Sequence, residues 1–126
     1  MSRKILPLVL TVCIWPVLTA AVTRDNFLVR NTQDFVELCT APETDPMHAA
    51  ATAFCYGYGL GAFHYYRAST EGPQGKPFIC LPQPAPSRTE GLRMFLSWVR
   101  ENPQYMSEPA VDTIFRWMAT KWPCRK

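Results

Sequence analysis

The chain has 126 residues, of which 48% are hydrophobic, and its formal net charge is +3. That length suits one domain with a modest core, and so small a charge excludes the clustered basic surface of a nucleic-acid binder. Five cysteines in a chain this short point to a disulfide framework made in an oxidising compartment.

The amino terminus reads as a signal peptide over residues 1–21. Met1-Ser2-Arg3-Lys4 supplies two positive charges, Ile5 to Leu18 is apolar, and Thr19-Ala20-Ala21 is a small-residue exit. Cleavage is expected after Ala20 or Ala21. The apolar run is shorter than the ~20 residues of a membrane span, and Pro7 and Pro16 disfavour a lasting helix. Cys13 follows Val12 and sits too early for a lipoprotein site. The protein is therefore expected to be periplasmic or secreted, with no membrane attachment after cleavage and one domain over 22–126. Of the 13 basic side chains, Arg3 and Lys4 lie in the leader, which leaves 11 against 10 carboxylates. Only Arg125-Lys126 is locally basic.

Four helices are predicted downstream, making an all-α domain of two helical hairpins. Val22 to Arg30 has no clear pattern and reads as irregular. A short first helix begins near Asn31 or Thr32, both good caps, with Phe35, Leu38 and Cys39 on one face. Ala41-Pro42 ends it. The second helix takes Asp45 as cap and Pro46 as first residue, and runs from Met47 to about Arg67. Its Ala53, Gly57 and Gly61 fall four apart and form a small-residue ridge, expected to let another helix approach. Phe54, Tyr58 and Tyr65 flank it as large packing groups. Ser69 to Pro86 is a long loop that needs pinning or a function. The third helix opens on Ser87 and Glu90 in capping-box spacing, carries Leu92, Phe95, Leu96 and Val99, and stops at Asn102-Pro103. The fourth is expected to be capped by Ser107, with an apolar stripe of Val111, Ile114, Phe115, Met118 and Trp122.

Four cysteines remain after the leader, and they allow three pairings. Cys39 near the end of helix one and Cys55 early in helix two come side by side in an antiparallel hairpin. Cys80 precedes helix three and Cys124 follows helix four, so a second hairpin joins them. Cys39–Cys55 with Cys80–Cys124 is the preferred set. Its rival, Cys39–Cys124 with Cys55–Cys80, would fold the loop back on helix two.

The same residues carry no catalytic or metal-binding pattern. Cys55 and His64 lie nine residues apart on one helix, ~13 Å of rise, too far for a thiolate and its base. His48 and His64 are the only histidines, and no CxxC or HExxH spacing suggests zinc. Gly57-Tyr58-Gly59-Leu60-Gly61 follows a helix rather than a strand, unlike a phosphate-binding turn. Ser87, Ser97 and Ser107 lack a nucleophile elbow. No catalytic group, metal or cofactor is expected.

Phe54-Cys55-x-Gly57-Tyr58-x-x-Gly61, then Cys80-Leu81-Pro82, Asn102-Pro103 and Trp122-Pro123-Cys124 occur in order behind Leu38-Cys39. Together they resemble the Rap/Tai family of type VI secretion immunity proteins, over roughly Asn31 to Cys124. The resemblance implies a small helical, disulfide-bonded periplasmic protein, often a homodimer, that binds a cell-wall amidase effector and blocks its active site without being an enzyme. On this reading the stiffened loop Ser69–Phe78 and the turn Pro103–Met106 enter the effector cleft, with Glu71, Gln74, Lys76, Gln104 and Tyr105 as partner-binding residues. The alternative is a periplasmic stress chaperone similar to the Hde acid-stress type, although no carboxylate or histidine cluster supplies an acid trigger. A secreted effector or small hydrolase comes third, supported by export alone.

Overall fold

A computed structural model describes residues 21–125. The expected leader, Cys13 included, lies outside them apart from Ala21. In chain order the elements are a 3₁₀ turn at Arg24–Leu28, α1 (Thr32–Cys39), α2 (His48–Thr70), α3 (Arg88–Glu101), a 3₁₀ turn at Pro103–Tyr105 and α4 (Ala110–Lys121). The described residues contain no strand, only an isolated antiparallel bridge between Ile79 and Pro123. The four-helix, all-α architecture is the one the apolar spacing predicted.

The core follows from the faces these helices bury. Phe35 and Leu38 of α1 are 2% and 0% exposed, and Phe95, Val99, Ile114, Trp117 and Met118 close the centre. Phe35 lies 5.2 Å from the Tyr58 ring and 5.9 Å from Phe95, so the short α1 is wedged between the longer helices. Its amino end is held from outside the helix. Asn31 Oδ1 accepts the Asp34 N–H, while Thr32 and Gln33 donate their N–H groups to the carbonyls of Glu108 and Met106. Those bonds satisfy donors that a helix start otherwise leaves open. Thr32, fully buried, adds a hydroxyl bond to Thr113 at 2.8 Å. Helix α1 is thereby fastened to the start of α4.

Both preferred disulfides are present, Cys39–Cys55 across α1 and α2, and Cys80–Cys124 across the second hairpin. The long loop is pinned as its length demanded. Cys80 is bonded to Cys124, Cys80 N–H donates to the Trp122 carbonyl, and Cys124 N–H donates to that of Phe78. The buried Tyr66 hydroxyl also accepts the N–H groups of Phe78 at 2.9 Å and Ile79 at 2.8 Å.

Several local expectations are corrected. The Val22–Arg30 segment, expected to be irregular, holds a 3₁₀ turn over Arg24–Leu28, in which Asn26 is buried and its side-chain amide is fully used. Its oxygen accepts from Thr23, and its nitrogen donates to Asp34 and Glu37. Val29 is held at φ 43°, an unfavourable region for a β-branched residue, with its N–H closing the turn to Asn26. Helix α2 starts at His48, not Pro46, because the Asp45 carboxylate is occupied by the N–H groups of Val22 and Met47. It also runs on to Thr70. Helix α4 starts after Pro109, not Ser107, since the carbonyls of Met106 and Glu108 are turned toward α1. In α4 the inward positions are Ala110, Thr113, Ile114, Trp117 and Met118, and Val111 is 37% exposed.

The largest correction concerns the small-residue ridge. Ala53, Gly57 and Gly61 face outward, and a Cβ added at Gly57, Gly59 or Gly61 would meet no atom within 4 Å. Tyr65, expected to pack, is 77% exposed. Helix α2 turns Ala51, Cys55 and Tyr66 inward instead. Each helix-interior glycine costs ~1 kcal/mol relative to alanine, and no internal packing offsets it.

Candidate binding site

A groove of ≈ 320 Å³ is lined by residues of both α2 and α3. Tyr56, Leu60 and Phe63 from α2 and Leu92 from α3 form its walls, and Phe95 and Trp117 its floor. Gly59 and Gly91 also line it, one on each helix, and a Cβ at either would stand in open space. The two glycines therefore widen the groove. Leu81, Pro86 and Trp122, residues that adjoin the Cys80–Cys124 bridge in sequence or follow it along the loop, also line it.

Arg88 is the one charged side chain among the lining residues. His64 and Arg88 line the groove, and no carboxylate does. Arg88 opens α3, where Ser87 Oγ caps the helix by accepting the Glu90 N–H. Arg88 makes no ion pair among the described residues, whereas Arg93 takes Glu90 at 2.7 Å. A binding face of this kind recognises apolar groups flanked by negative charge.

The predicted contact residues fall into two places. Glu71, Gln74 and Lys76 lie exposed in the loop after α2. Glu71 is braced by Arg67 at 2.7 Å, and that side-chain bond holds its carboxyl below the usual glutamate range. A shallow depression lined by His64, Arg67 and Glu71 joins this loop to the groove. Gln104 and Tyr105 sit in the 3₁₀ turn before α4, with Tyr105 stacked on Trp98 at 5.4 Å and Arg116 4.9 Å over its ring. The loop is tied to Trp122–Cys124 beyond the carboxyl end of α4, and the turn precedes its amino end. A 12-residue helix separates them, ~18 Å of rise. Groove and first loop are contiguous; the second turn is not part of that surface.

Nucleophilic chemistry at Cys55 is removed by its bond to Cys39. Among the described residues no group of three or more His, Cys, Asp or Glu side chains is arranged to hold a metal. No helix among them is long and apolar enough to cross a membrane. The groove was not anticipated from sequence. Its signal was present in Gly59, Leu60, Phe63, Gly91 and Leu92, but periodicity alone does not tell a core-facing side chain from one lining a cleft.

The family model for Rap1a immunity proteins matches residues 31–124. That span takes in all four helices, both disulfides and the groove. No curated protein and no solved structure gives a significant match.

Proposed function

The chain belongs to the Rap1a immunity protein family, and from that premise we propose that it is an exported binding protein that neutralises a type VI secreted effector. The effector is a cell-wall amidase, met in the periplasm and silenced by occlusion of its catalytic cleft. The observation that carries this reading is the family match across 31–124, nearly the whole of the described domain. The body suits the task. Two cross-links and a buried aromatic core give a preorganised surface, which lowers the ordering cost of association. The loop bearing Glu71, Gln74 and Lys76 enters the effector cleft, and the adjoining α2–α3 groove takes an apolar projection of the effector beside it. The chain acts by binding and has no turnover of its own. A homodimer leaves this face free if it forms through another surface, such as the outward Ala53–Gly57–Gly61 side of α2.

Growth protection tests the reading. Cells that direct a type VI amidase effector from the same genome to their periplasm are expected to lyse alone and to survive with this chain co-exported. Survival that is unchanged by deleting residues 1–21 would contradict a periplasmic site of action.

A further inference from the structure

We infer that the exported protein begins at Val22, and that its new α-ammonium group forms a buried ion pair with Asp45. The backbone nitrogen of Val22 lies 2.8 Å from Asp45 Oδ2. Both residues are nearly closed off, at 7% and 8% exposed. Asp45 Oδ1 accepts from the Met47 N–H at 2.7 Å, and those two backbone bonds hold the carboxyl below the usual aspartate range. No lysine or arginine among the described residues lies within ion-pair distance of it; the His48 ring is near enough to be felt as a charge, but its Nδ1 is engaged by the Ala41 carbonyl at 2.8 Å rather than by the carboxylate. A buried carboxylate normally has a counter-ion. In the uncleaved chain Val22 offers only a neutral amide; cleavage at Ala21–Val22 places a full positive charge on the same atom.

The leader points to the same bond. Leader peptidases want small side chains at the last and third-last positions of the leader. Cutting after Ala21 supplies Ala21 and Thr19, whereas cutting after Ala20 places Leu18 at the third-last position. Water adds across the Ala21–Val22 peptide bond. The Ala21 carboxylate leaves with the leader, and the Val22 amine takes a proton at neutral pH. The cut precedes folding, while Val22 is not yet enclosed. Once the domain closes, the ammonium meets Asp45 just ahead of α2. Val22 also packs in a small apolar cluster with Leu38 and Ala51, so the ion pair fastens the mature amino terminus to the first hairpin. The result is a contact that processing creates and the precursor lacks.

This inference rests on the export reading above but not on the immunity role. The test starts from the full chain, exported and purified with its disulfides intact. Intact mass is expected to show a first residue of Val22. A protein starting at Ala21 would overturn the inference and leave export standing; an unprocessed chain would overturn both. The second measurement is pulsed labelling of the α-amine with an amine-reactive anhydride at neutral pH, read by peptide mapping. The folded protein is expected to react at least about tenfold more slowly than the urea-unfolded one, since an adjacent carboxylate raises the amine pKa and burial shields it. Asp45→Asn is expected to restore most of that rate. Equal rates in folded and unfolded wild-type protein would overturn the ion pair whether or not the variant folds.

Discussion

Replacing Tyr66 with Phe removes one oxygen and should loosen the whole second half of the fold. The hydroxyl accepts two backbone donors, from Phe78 and Ile79. Ile79 is 6% exposed, and a backbone N–H stranded there costs ~1–3 kcal/mol. Phe78 is 48% exposed, so water can reach its amide and the added cost is a fraction of that. The ring itself is kept, along with its edge contact to Phe78 at 4.9 Å, so no cavity contributes. The expected total is about 2–3 kcal/mol. In a domain of this size that lowers the melting temperature by about 8–24 °C. Heat and urea melts of the oxidised protein would measure the loss, and amide exchange would show whether Phe78 and Ile79 are the sites that open. A loss below ~0.5 kcal/mol, the size of an ordinary surface change, with both amides still protected would refute the view that Tyr66 organises the loop.

Serine in place of both Cys80 and Cys124 is expected to cost ~4 kcal/mol by loop entropy, and the Cys39 and Cys55 pair ~3 kcal/mol, because the bridges span 44 and 16 residues; denaturant melts would rank them. Gly57→Ala and Gly61→Ala should each stabilise by ~0.5–1 kcal/mol, since the added methyl meets nothing; a loss of stability or a change in oligomeric state would reveal a partner on that face. Acid should weaken the fold. Asp45, Glu71 and Glu90 are held below their usual carboxylate range by hydrogen bonds from backbone or arginine. Their stabilisation is present above the unfolded pKa of ~4 and is lost as pH falls through the lower folded values. Urea midpoints that stay flat from pH 6 to about pH 2 would contradict this.

Much of the architecture was legible because it rests on local rules. Asn31 and Ser87 cap where their side chains suggested, Phe35, Leu38, Phe95 and Val99 point inward as their spacing required, and the hairpin argument identified both disulfides. The failures share one cause, long-range use of a group that looked local. Asp45 reads as a helix cap until Val22 claims its carboxylate. Ser107 reads as a cap until α1 claims the carbonyls on either side of it. Asn26 sits in a segment without pattern because its partners Asp34 and Glu37 belong to the next helix. The Gly57–Gly61 ridge was misassigned for a different reason, since small residues four apart fit close packing and open surface equally well. The groove was missed with it, because its lining is shared between two helices and a loop, which no single stripe encodes.

On the proposed function the chain is a binding body that silences one effector. The most direct test of that reading is a titration of a type VI amidase effector from the same genome, acting on peptidoglycan fragments, with the purified oxidised chain. Hydrolysis should fall to zero at an equimolar ratio, and reduction of the disulfides should restore it. Undiminished turnover at a large excess of folded, oxidised chain would contradict the immunity role.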